Sequence, residues 1–160
     1  MADPHRSPVT ATTRHDGNGD AATTLGRLNH VGVATPSIER SVDTYRTLLG
    51  ATAIGEPFDL PAQGVRVCFV DAPNTQIELI EPLDDSSPIA GFLRRNPAGG
   101  QHHLCFEVPD IDAAVADLTA KGATLLGQPR IGAHGTRIVF VHPRDMGGLL
   151  VELMEQPEDH

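Results

Sequence analysis

The sequence predicts an α+β fold in which two pseudo-symmetric βαβββ modules form one curved mixed sheet within a single domain. The first observation is an internal repeat: His30 and Glu78 in the first half recur as His103 and Glu152 in the second, at an offset of about 73 residues. The second observation is that each half has one helical apolar period followed by short apolar runs of strand length. Because neither half buries its sheet alone, the two halves are expected to pack together.

The repeat also sets the expected limits of the domain. The chain has 160 residues, which is enough for one ordinary domain. Its first residues are rich in Thr, Asp, Gly and Pro and lack an apolar period, which is typical of a disordered segment. The predicted parts are a disordered N-terminal tail at 1–26, a domain at 27–156 with modules at about 27–83 and 101–156, a short linking helix at 87–96, and a loose C-terminus at 157–160.

The first module begins with the short apolar strand LNHVGVA. A helix is predicted next, with Pro36 near its start and Gly50 placed to end it. The inner face of this helix carries side chains at helical spacing, namely Ile38, Val42, Tyr45 and Leu49. Three strands, TAIGEP, VRVCFVD and QIELIE, are expected to complete the module.

The second module repeats this order after the linking helix, which is expected to begin at Ser87 and to end before Pro97. In the module's own helix, Asp110 is the candidate N-terminal cap and Gly122 is placed to end the helix. The strands TLLGQP, RIVFVH and LLVELME are expected to follow. The apolar side chains on the inner face of the helix are Ile111, Val115 and Leu118.

Composition argues against several classes of function. The chain has 12 basic and 21 acidic residues and a formal net charge of -9, which argues against nucleic acid or an anionic membrane as a partner. No apolar run approaches the roughly 20 residues of a membrane helix, and no secretory signal is recognised. Cys68 and Cys105 lie far apart without CxxC spacing, so we expect small buried strand residues and a reducing, cytoplasmic setting.

Two histidines and two glutamates occupy equivalent strand positions in the two modules. A carboxylate between strong β-formers, as at Glu78 and Glu152, is costly to bury without a partner. Taken singly, each of the four residues fits the solvent face of a strand. Their symmetry instead favours a shared divalent cation, because two neutral imidazoles and two carboxylates balance its charge. With no thiolate ligand, we expect an octahedral ion with two open positions rather than a structural zinc site.

The repeat and its His…Glu, His…Glu pattern resemble the vicinal oxygen chelate superfamily. From about Leu28 to Gln156 the chain is similar to the methylmalonyl-CoA epimerase family within it, through LNHVGVATPSIE, NTQIELIEPL, SPIAGFL, GGQHHLCFEVPDIDAAV, IGAHGTRIVFVHPRD and GGLLVELMEQ. The resemblance implies a small acyl-CoA substrate, a homodimer, and a divalent metal, with Co²⁺ favoured over Mn²⁺, Ni²⁺ and Zn²⁺. It also implies four metal ligands, which are His30, Glu78, His103 and Glu152.

The same resemblance implies an epimerase that interconverts (2R)- and (2S)-methylmalonyl-CoA by removing and returning the C2 proton through a metal-stabilised enolate. Glu152 is expected to be the first base, with Glu78 serving the opposite face. Some family members carry a glutamate in the strand after a QGV motif, where this chain has Val67. The second proton-transfer group is therefore left open among Glu78, Glu107 and water, as is activity on ethylmalonyl-CoA.

The segment IGAHGT holds three further candidates. His134, Gly132 and Gly135 fit either a loop that closes over the substrate or a plain hairpin turn, and the sequence leaves both open. The CoA phosphates need cationic partners, and the sequence does not choose among the arginines. The candidates are Arg94, Arg95, Arg130, Arg137 and Arg144.

Strand alternation predicts the orientation of several neighbouring side chains. It points His102 away from His103, as a core or interface residue. Gly32 and Ala34 share a face with His30, where their small size is expected to leave room for the substrate. His142, just before a proline, is expected to be a structural residue at a strand end.

Three other functions share this architecture. A glyoxalase I-type enzyme isomerises a glutathione hemithioacetal at a similar metal site, but the segments SPIAGFL and IGAHG argue against it. An extradiol dioxygenase holds Fe²⁺ with two histidines and one glutamate, so a set of four ligands argues against that enzyme. A non-catalytic drug-binding protein of this fold has no need of two buried carboxylates. Metal content after purification would separate the enzymes from the binding protein.

Overall fold

The computed structural model describes residues 23–157, so most of the tails predicted at 1–26 and 157–160, namely residues 1–22 and 158–160, lies outside the described residues. None of the helices within 23–157 has the length and apolar character to cross a membrane. The elements, in chain order, are β1 (Leu28–Ala34), α1 (Ile38–Leu49), β2 (Phe58–Leu60), β3 (Val65–Ala72), β4 (Thr75–Pro82), α2 (Ala90–Arg95), β5 (Gly100–Val108), α3 (Ile111–Ala120), β6 (Arg130–Ile131), β7 (Arg137–Val141) and β8 (Val151–Glu155).

All eight strands form one mixed sheet in the order β2-β3-β4-β1-β5-β8-β7-β6. The order is symmetric about its centre, where β1 and β5, the first strands of the two modules, pair antiparallel. On either side, β1 pairs parallel with β4, and β5 pairs parallel with β8. The predicted α+β fold of two βαβββ modules in one mixed sheet is confirmed, whereas the exact limits of the domain stay a prediction.

The two main helices begin and end where local chemistry directs them. Ser37 accepts a hydrogen bond from the Arg40 N–H at the start of α1, and Gly50 ends that helix with a φ of 65°. Asp110 caps α3 by accepting from the Ala113 N–H, as predicted. Gly122 follows α3 with a φ of 87°, a conformation that side chains disfavour.

Each helix covers one face of its own module. Helix α1 buries Ile38 and Val42 against Cys68, Val70 and Leu79 of β3 and β4. The prediction that Leu49 lies on this inner face is wrong, because Leu49 is exposed at the end of the helix. In the second module, α3 buries its inner face in the same way, against Val139, Val141, Val151 and Leu153. The face of the sheet that the two helices do not cover carries two other apolar clusters. This uncovered face is available to form the site.

Two predicted strands are wrong. The segments TAIGEP and TLLGQP each contribute a single bridge, Ile54 to Val70 and Leu125 to Val141, and the strands β2 and β6 follow after them. The physical reason lies in prolines 57 and 129, which have no N–H to donate to a strand ladder. The linking helix α2 is also shorter than the predicted range of 87–96, although Ile89, just before it, is buried.

The central pair of strands carries two β-bulges. The register advances from Leu28 and Phe106 to His30 and Cys105, which leaves Asn29 as an extra residue on β1. At the other end of the pair, Gly32 faces His103 and Val33 faces Gln101, which leaves His102 as an extra residue on β5. A bulge disrupts the alternation of side chains along a strand. Each bulge therefore changes which way the residue before a site histidine can point.

Candidate metal centre and active site

The four central strands bring together the four residues that the repeat singled out. His30 lies on β1, Glu78 on β4, His103 on β5 and Glu152 on β8. All four side chains are buried, with exposed fractions of 0% for His30, 7% for Glu78, 2% for His103 and 5% for Glu152. Their roles as metal ligands stay a prediction, but their convergence in space is a property of the fold.

We call these four residues the His–Glu cluster. At its middle, the Nε2 atoms of His30 and His103 lie 3.2 Å apart. The Oε2 atom of Glu78 is 3.4 Å from Nε2 of His30, and the Oε2 atom of Glu152 is 3.1 Å from Nε2 of His103. The two cross distances are longer, at 3.8 Å from His30 to Glu152 and 3.9 Å from His103 to Glu78.

These distances suit ligands of one cation. Donor atoms about 2.1 Å from a metal ion lie about 3.0 Å apart at right angles and about 3.4 Å apart at a tetrahedral angle. The pairs in the His–Glu cluster are spaced at 3.1 to 3.9 Å, close to that range. Two imidazoles and two carboxylates also balance the charge of a divalent cation. The residues present therefore fit a divalent metal.

Gly32 makes room for one of the imidazoles. A Cβ at Gly32 would overlap the Cε1, Nδ1 and Nε2 atoms of His103. The expectation that Gly32 and Ala34 leave room for the substrate is therefore wrong. The space beside Gly32 holds the His103 ring, while Ala34 is buried against the cluster that contains Val67 and Ile80.

The electrostatics of the two glutamates differ. Burial raises the pKa of Glu78, and the nearby charge of His30 only partly opposes this shift. Burial would also raise the pKa of Glu152, but hydrogen bonds from His103 and His30 outweigh it and lower that pKa. For His30, burial lowers the pKa, yet the hydrogen bond to Glu152 and the charge of Glu78 raise it overall. Glu152 is thus stabilised as the carboxylate, whereas Glu78 holds a proton more readily.

A cavity of about 540 Å³ opens onto the His–Glu cluster. Glu78, His103 and Glu152 line it, together with Val67 at the position where some family members carry glutamate. Val67 is buried and has no proton to give or take, so a second proton-transfer group has to come from elsewhere. The other lining residues include Ile80, Ile89, His102, Arg130, Ala133 and Phe140.

The IGAHGT loop reaches the cluster through one side chain. The His134 ring stacks on His30 with 5.2 Å between centroids, and its Nε2 lies 2.8 Å from Oε1 of Gln76. Gly132 and Gly135 instead shape the turn: the Gly135 N–H donates to the Gly132 carbonyl, and Gly135 has a φ of 79°. The structure places His134 at the site, and its contact with substrate stays a prediction.

The expected orientation of His102 is wrong. Its Nδ1 lies 2.9 Å from Nδ1 of His103, and its ring lines the cavity. The bulge is the physical reason, because it lets consecutive residues turn their side chains to the same side. Burial and the neighbouring His103 lower the pKa of His102 to about 4, so its imidazole is neutral at neutral pH.

Sequence reasoning missed Asn29. Its Oδ1 accepts a hydrogen bond from Nδ1 of His30 at 2.8 Å, and its Nδ2 donates to Oε1 of Glu107 at 3.0 Å. Glu107, a candidate second base, is thus buried and engaged with Asn29 rather than lining the cavity. The internal repeat offers a sequence indication of this role, because a polar residue precedes the site histidine in both halves: Asn29 before His30, and His102 before His103.

The structure sorts the candidate arginines. Arg130 lines the cavity, with its guanidinium 5.4 Å from the Phe140 ring centre. Arg95 lines a second cavity, which shares Pro88, His102 and Leu150 with the first. Arg137 forms ion pairs with Asp112 and Glu155, and Arg144 donates to Thr124. Arg94 is exposed outside both cavities.

Other residues behave as expected. His142 accepts a hydrogen bond at Nδ1 from the Arg144 N–H just after β7, so it is a structural residue at a strand end. Cys68 and Cys105 are free, buried thiols. The Cys105 thiol donates to Oε1 of Glu152 at 3.6 Å, and burial raises the pKa of this thiol.

Comparison with known proteins agrees with this geometry. Residues 29–140 match the family model described as the Glyoxalase/Bleomycin resistance protein/Dioxygenase superfamily. An ethylmalonyl-CoA/methylmalonyl-CoA epimerase from Cereibacter sphaeroides is 54% identical over 131 residues, covering 81% of this chain and 97% of that protein. The mitochondrial methylmalonyl-CoA epimerase of Bos taurus is 53% identical, covering 81% and 74% of the two chains.

Solved structures agree as well. A variant of the Streptomyces coelicolor methylmalonyl-CoA epimerase, in complex with 2-nitronate-propionyl-CoA, superposes with a TM-score of 0.76 at 32% identity, covering 84% of this chain and 97% of that one. The fold and the family match make the chain a member of the glyoxalase/bleomycin resistance protein/dioxygenase superfamily. Within it, the chain belongs to the methylmalonyl-CoA epimerase family and is an enzyme of the epimerase class.

Proposed function

We propose that this protein epimerises methylmalonyl-CoA at C2 with a divalent metal held by His30, Glu78, His103 and Glu152. One observation carries the proposal: four buried donor groups from both modules converge with spacings that suit one cation, and three of them line a cavity. Co²⁺ is the favoured ion, with Mn²⁺, Ni²⁺ and Zn²⁺ as alternatives, because imidazole and carboxylate ligands suit all of them.

The chemistry needs stabilisation of negative charge. The C2 proton lies between a thioester and a carboxylate, and its removal places negative charge on the thioester oxygen. A divalent metal held by His30, Glu78, His103 and Glu152 would supply positive charge that stabilises this negative charge. The protein's own contribution is to hold the cluster in a buried and largely apolar cavity, where electrostatic interactions are stronger than in water.

Two proton transfers complete the reaction. We assign the first to Glu152: its carboxylate takes the C2 proton, and the electrons of the C–H bond move toward the thioester oxygen. A proton then returns to C2 from the opposite face, and Glu78 is the assigned donor. The positions of the two glutamates support this division: Glu152 lies on β8 and Glu78 on β4, in different modules, and both line the cavity from opposite halves of the sheet.

The cavities suggest how a long acyl-CoA substrate is held. The acyl end belongs at the His–Glu cluster, and the second cavity, of about 590 Å³, continues from it past Pro88 and His102. Phe92 and Leu149 give that cavity apolar walls, and Arg95 gives it a cation. We assign Arg95 and Arg130 to the CoA phosphates or the substrate carboxylate, since guanidinium pairs well with both groups.

Two relatives guide the choice of substrate. The bovine relative is named for methylmalonyl-CoA alone, whereas the Cereibacter relative is also named for ethylmalonyl-CoA. The two substrates differ by one methylene, which a hydrophobic pocket discriminates by only about 1–3 kcal/mol. We therefore propose methylmalonyl-CoA as the preferred substrate and ethylmalonyl-CoA as a second, slower one.

A substrate panel tests this function. The purified protein, supplied with Co²⁺, is incubated separately with (2R)-methylmalonyl-CoA, ethylmalonyl-CoA and the glutathione hemithioacetal of methylglyoxal. We expect the (2S) product from methylmalonyl-CoA and no turnover of the hemithioacetal. Turnover of the hemithioacetal alone would mean a glyoxalase I-type enzyme, and turnover of none, by metal-loaded protein, would favour a binding protein.

The homodimer belongs to the same proposal. Light scattering after size-exclusion chromatography is expected to give twice the monomer mass of 17.0 kDa. A monomeric mass in the active protein would contradict this part of the proposal and leave the chemistry unaffected.

A further inference from the structure

Each site histidine is preceded by a bulged residue whose side chain meets its Nδ1 atom. On β1 the pair is Asn29 and His30, with Oδ1 and Nδ1 at 2.8 Å. On β5 the pair is His102 and His103, with the two Nδ1 atoms at 2.9 Å. The arrangement follows the internal repeat, although the two bulged residues differ in type and lie at opposite ends of the β1–β5 pair.

We propose that Asn29 and His102 are positioning residues that hold the Nδ1 hydrogen of His30 and His103, and so direct both Nε2 lone pairs toward the cation. The inference rests on the proposed metal centre and adds residues to it. A neutral imidazole carries one ring hydrogen, so a partner that accepts at Nδ1 leaves Nε2 free to bind a metal.

The β1 side has a fixed hydrogen-bond direction. The carboxylate of Glu107 accepts from Nδ2 of Asn29 at 3.0 Å, so the amide turns its Oδ1 toward His30. An amide oxygen only accepts hydrogen bonds, so Nδ1 of His30 has to donate. The chain from Glu107 through Asn29 therefore places the His30 hydrogen on Nδ1. This gives the buried Glu107 a structural role that acts through Asn29.

On the β5 side, the proposed metal binding itself sets the direction of the hydrogen bond between His102 and His103. When His103 presents its Nε2 lone pair, its hydrogen is on Nδ1, and His102 accepts it at its own Nδ1. The Phe92 ring packs edge-on against His102, with 5.3 Å between centroids, and steadies its position. Partners of metal-bound histidines orient the ring, and their loss typically costs about 10–100-fold in metal affinity.

Binding of Co²⁺ by the full chain tests the proposal without measuring activity. Calorimetry compares wild type with His102→Leu and Asn29→Leu, which remove the hydrogen-bond acceptor but keep a side chain of similar size. His102→Asn introduces at position 102 the residue type found at position 29, and serves as the rescue variant. Gln101→Leu is the matched control, since Gln101 is an exposed neighbour on the same strand. Circular dichroism checks that each variant is folded.

We expect the Kd for Co²⁺ to rise about 10–100-fold in the two leucine variants. His102→Asn is expected to recover most of the affinity, and Gln101→Leu to keep all of it. With Zn²⁺, proton NMR of ¹⁵N-labelled protein should show a slowly exchanging Nδ1–H of His103 in wild type and His102→Asn. In His102→Leu this Nδ1–H signal should be lost through fast exchange with water. A general loss of packing would not remove this one signal selectively.

Two results would overturn the inference alone: leucine variants that bind Co²⁺ as tightly as wild type, or a His102→Asn variant as weak as His102→Leu. A wild-type protein that binds no Co²⁺ would instead overturn the proposed metal centre, and this inference with it.

Discussion

Gly32 and His103 face each other across the central strand pair, and any side chain on Gly32 would occupy the space of the His103 ring. The register pairs these two residues directly, and Gly32 is also the β1 residue that pairs with Glu78. The geometry of the His–Glu cluster therefore depends on a residue that contributes no ligand atom. The equivalent position in the second module, opposite His30, is held by another small residue, Cys105.

Gly32→Ala should damage the metal site. The new methyl group overlaps the His103 ring, so the ring has to move away from His30 and Glu152. We expect at least about a tenfold rise in the Kd for Co²⁺, the scale on which displaced ligands act. Gly55→Ala is the control, because its Cβ would meet only the Phe69 carbonyl at 3.6 Å. Equal Co²⁺ affinities in the two variants would contradict this account of Gly32.

Glu152→Gln should remove the first base. Loss of a positioned general base typically costs about 10²–10⁴-fold in rate, and we expect kcat to fall by a factor within that range.

Glu78→Gln should slow return of the proton more than its removal, so C2 exchange with solvent would outpace epimerisation. The measurement follows exchange and epimerisation in the same sample. If Glu152→Gln keeps both its metal and full activity, the assignment of Glu152 is wrong.

Metal binding should release protons. The cluster raises the pKa of His30 above its usual value near 6.5, so part of the population carries a proton at neutral pH. Because a protonated imidazole cannot bind a metal, affinity for Co²⁺ should weaken as the pH falls through the raised pKa of His30. Calorimetry in two buffers with different ionisation enthalpies counts the protons released. An affinity independent of pH, with no proton release, would count against His30 as a ligand.

The arginines that line the cavities should act on substrate binding. Arg95→Ala and Arg130→Ala each remove a cation from the proposed acyl-CoA path, and a hydrogen bond between charged groups is worth about tenfold in affinity. We expect KM to rise by about that factor, with a smaller change in kcat. Arg94→Ala is the control, because Arg94 is exposed and lies outside both cavities. A rise in KM for Arg94→Ala of the same size would refute the assignment.

Much of this fold can be predicted from the sequence. The repeat predicted the two modules, and Gly50, Asp110 and Gly122 were predictable at the helix ends because local chemistry decides where helices begin and end. The convergence of His30, Glu78, His103 and Glu152 was also foreseeable, since symmetric modules place equivalent strand positions near one axis.

Other features depended on tertiary packing. Strand alternation pointed His102 away from the site, and a bulge reversed that orientation. Bulges arise from the pairing of two strands, so neither strand reveals them alone. The sequence shows that residue 32 is small but not which residue faces it across the sheet, so the prediction that Gly32 lines substrate space is wrong. The role of Asn29 likewise needed the contact with Glu107, which lies 78 residues away along the chain.

The most direct test of the central claim is exchange of the C2 proton of methylmalonyl-CoA in D₂O, followed by NMR. The wild-type protein is compared after treatment with EDTA, and again after Co²⁺ is restored. The account predicts that exchange and epimerisation both stop with EDTA and both return with Co²⁺. Undiminished exchange in protein shown to contain no metal would contradict the claim that His30, Glu78, His103 and Glu152 act by holding a cation.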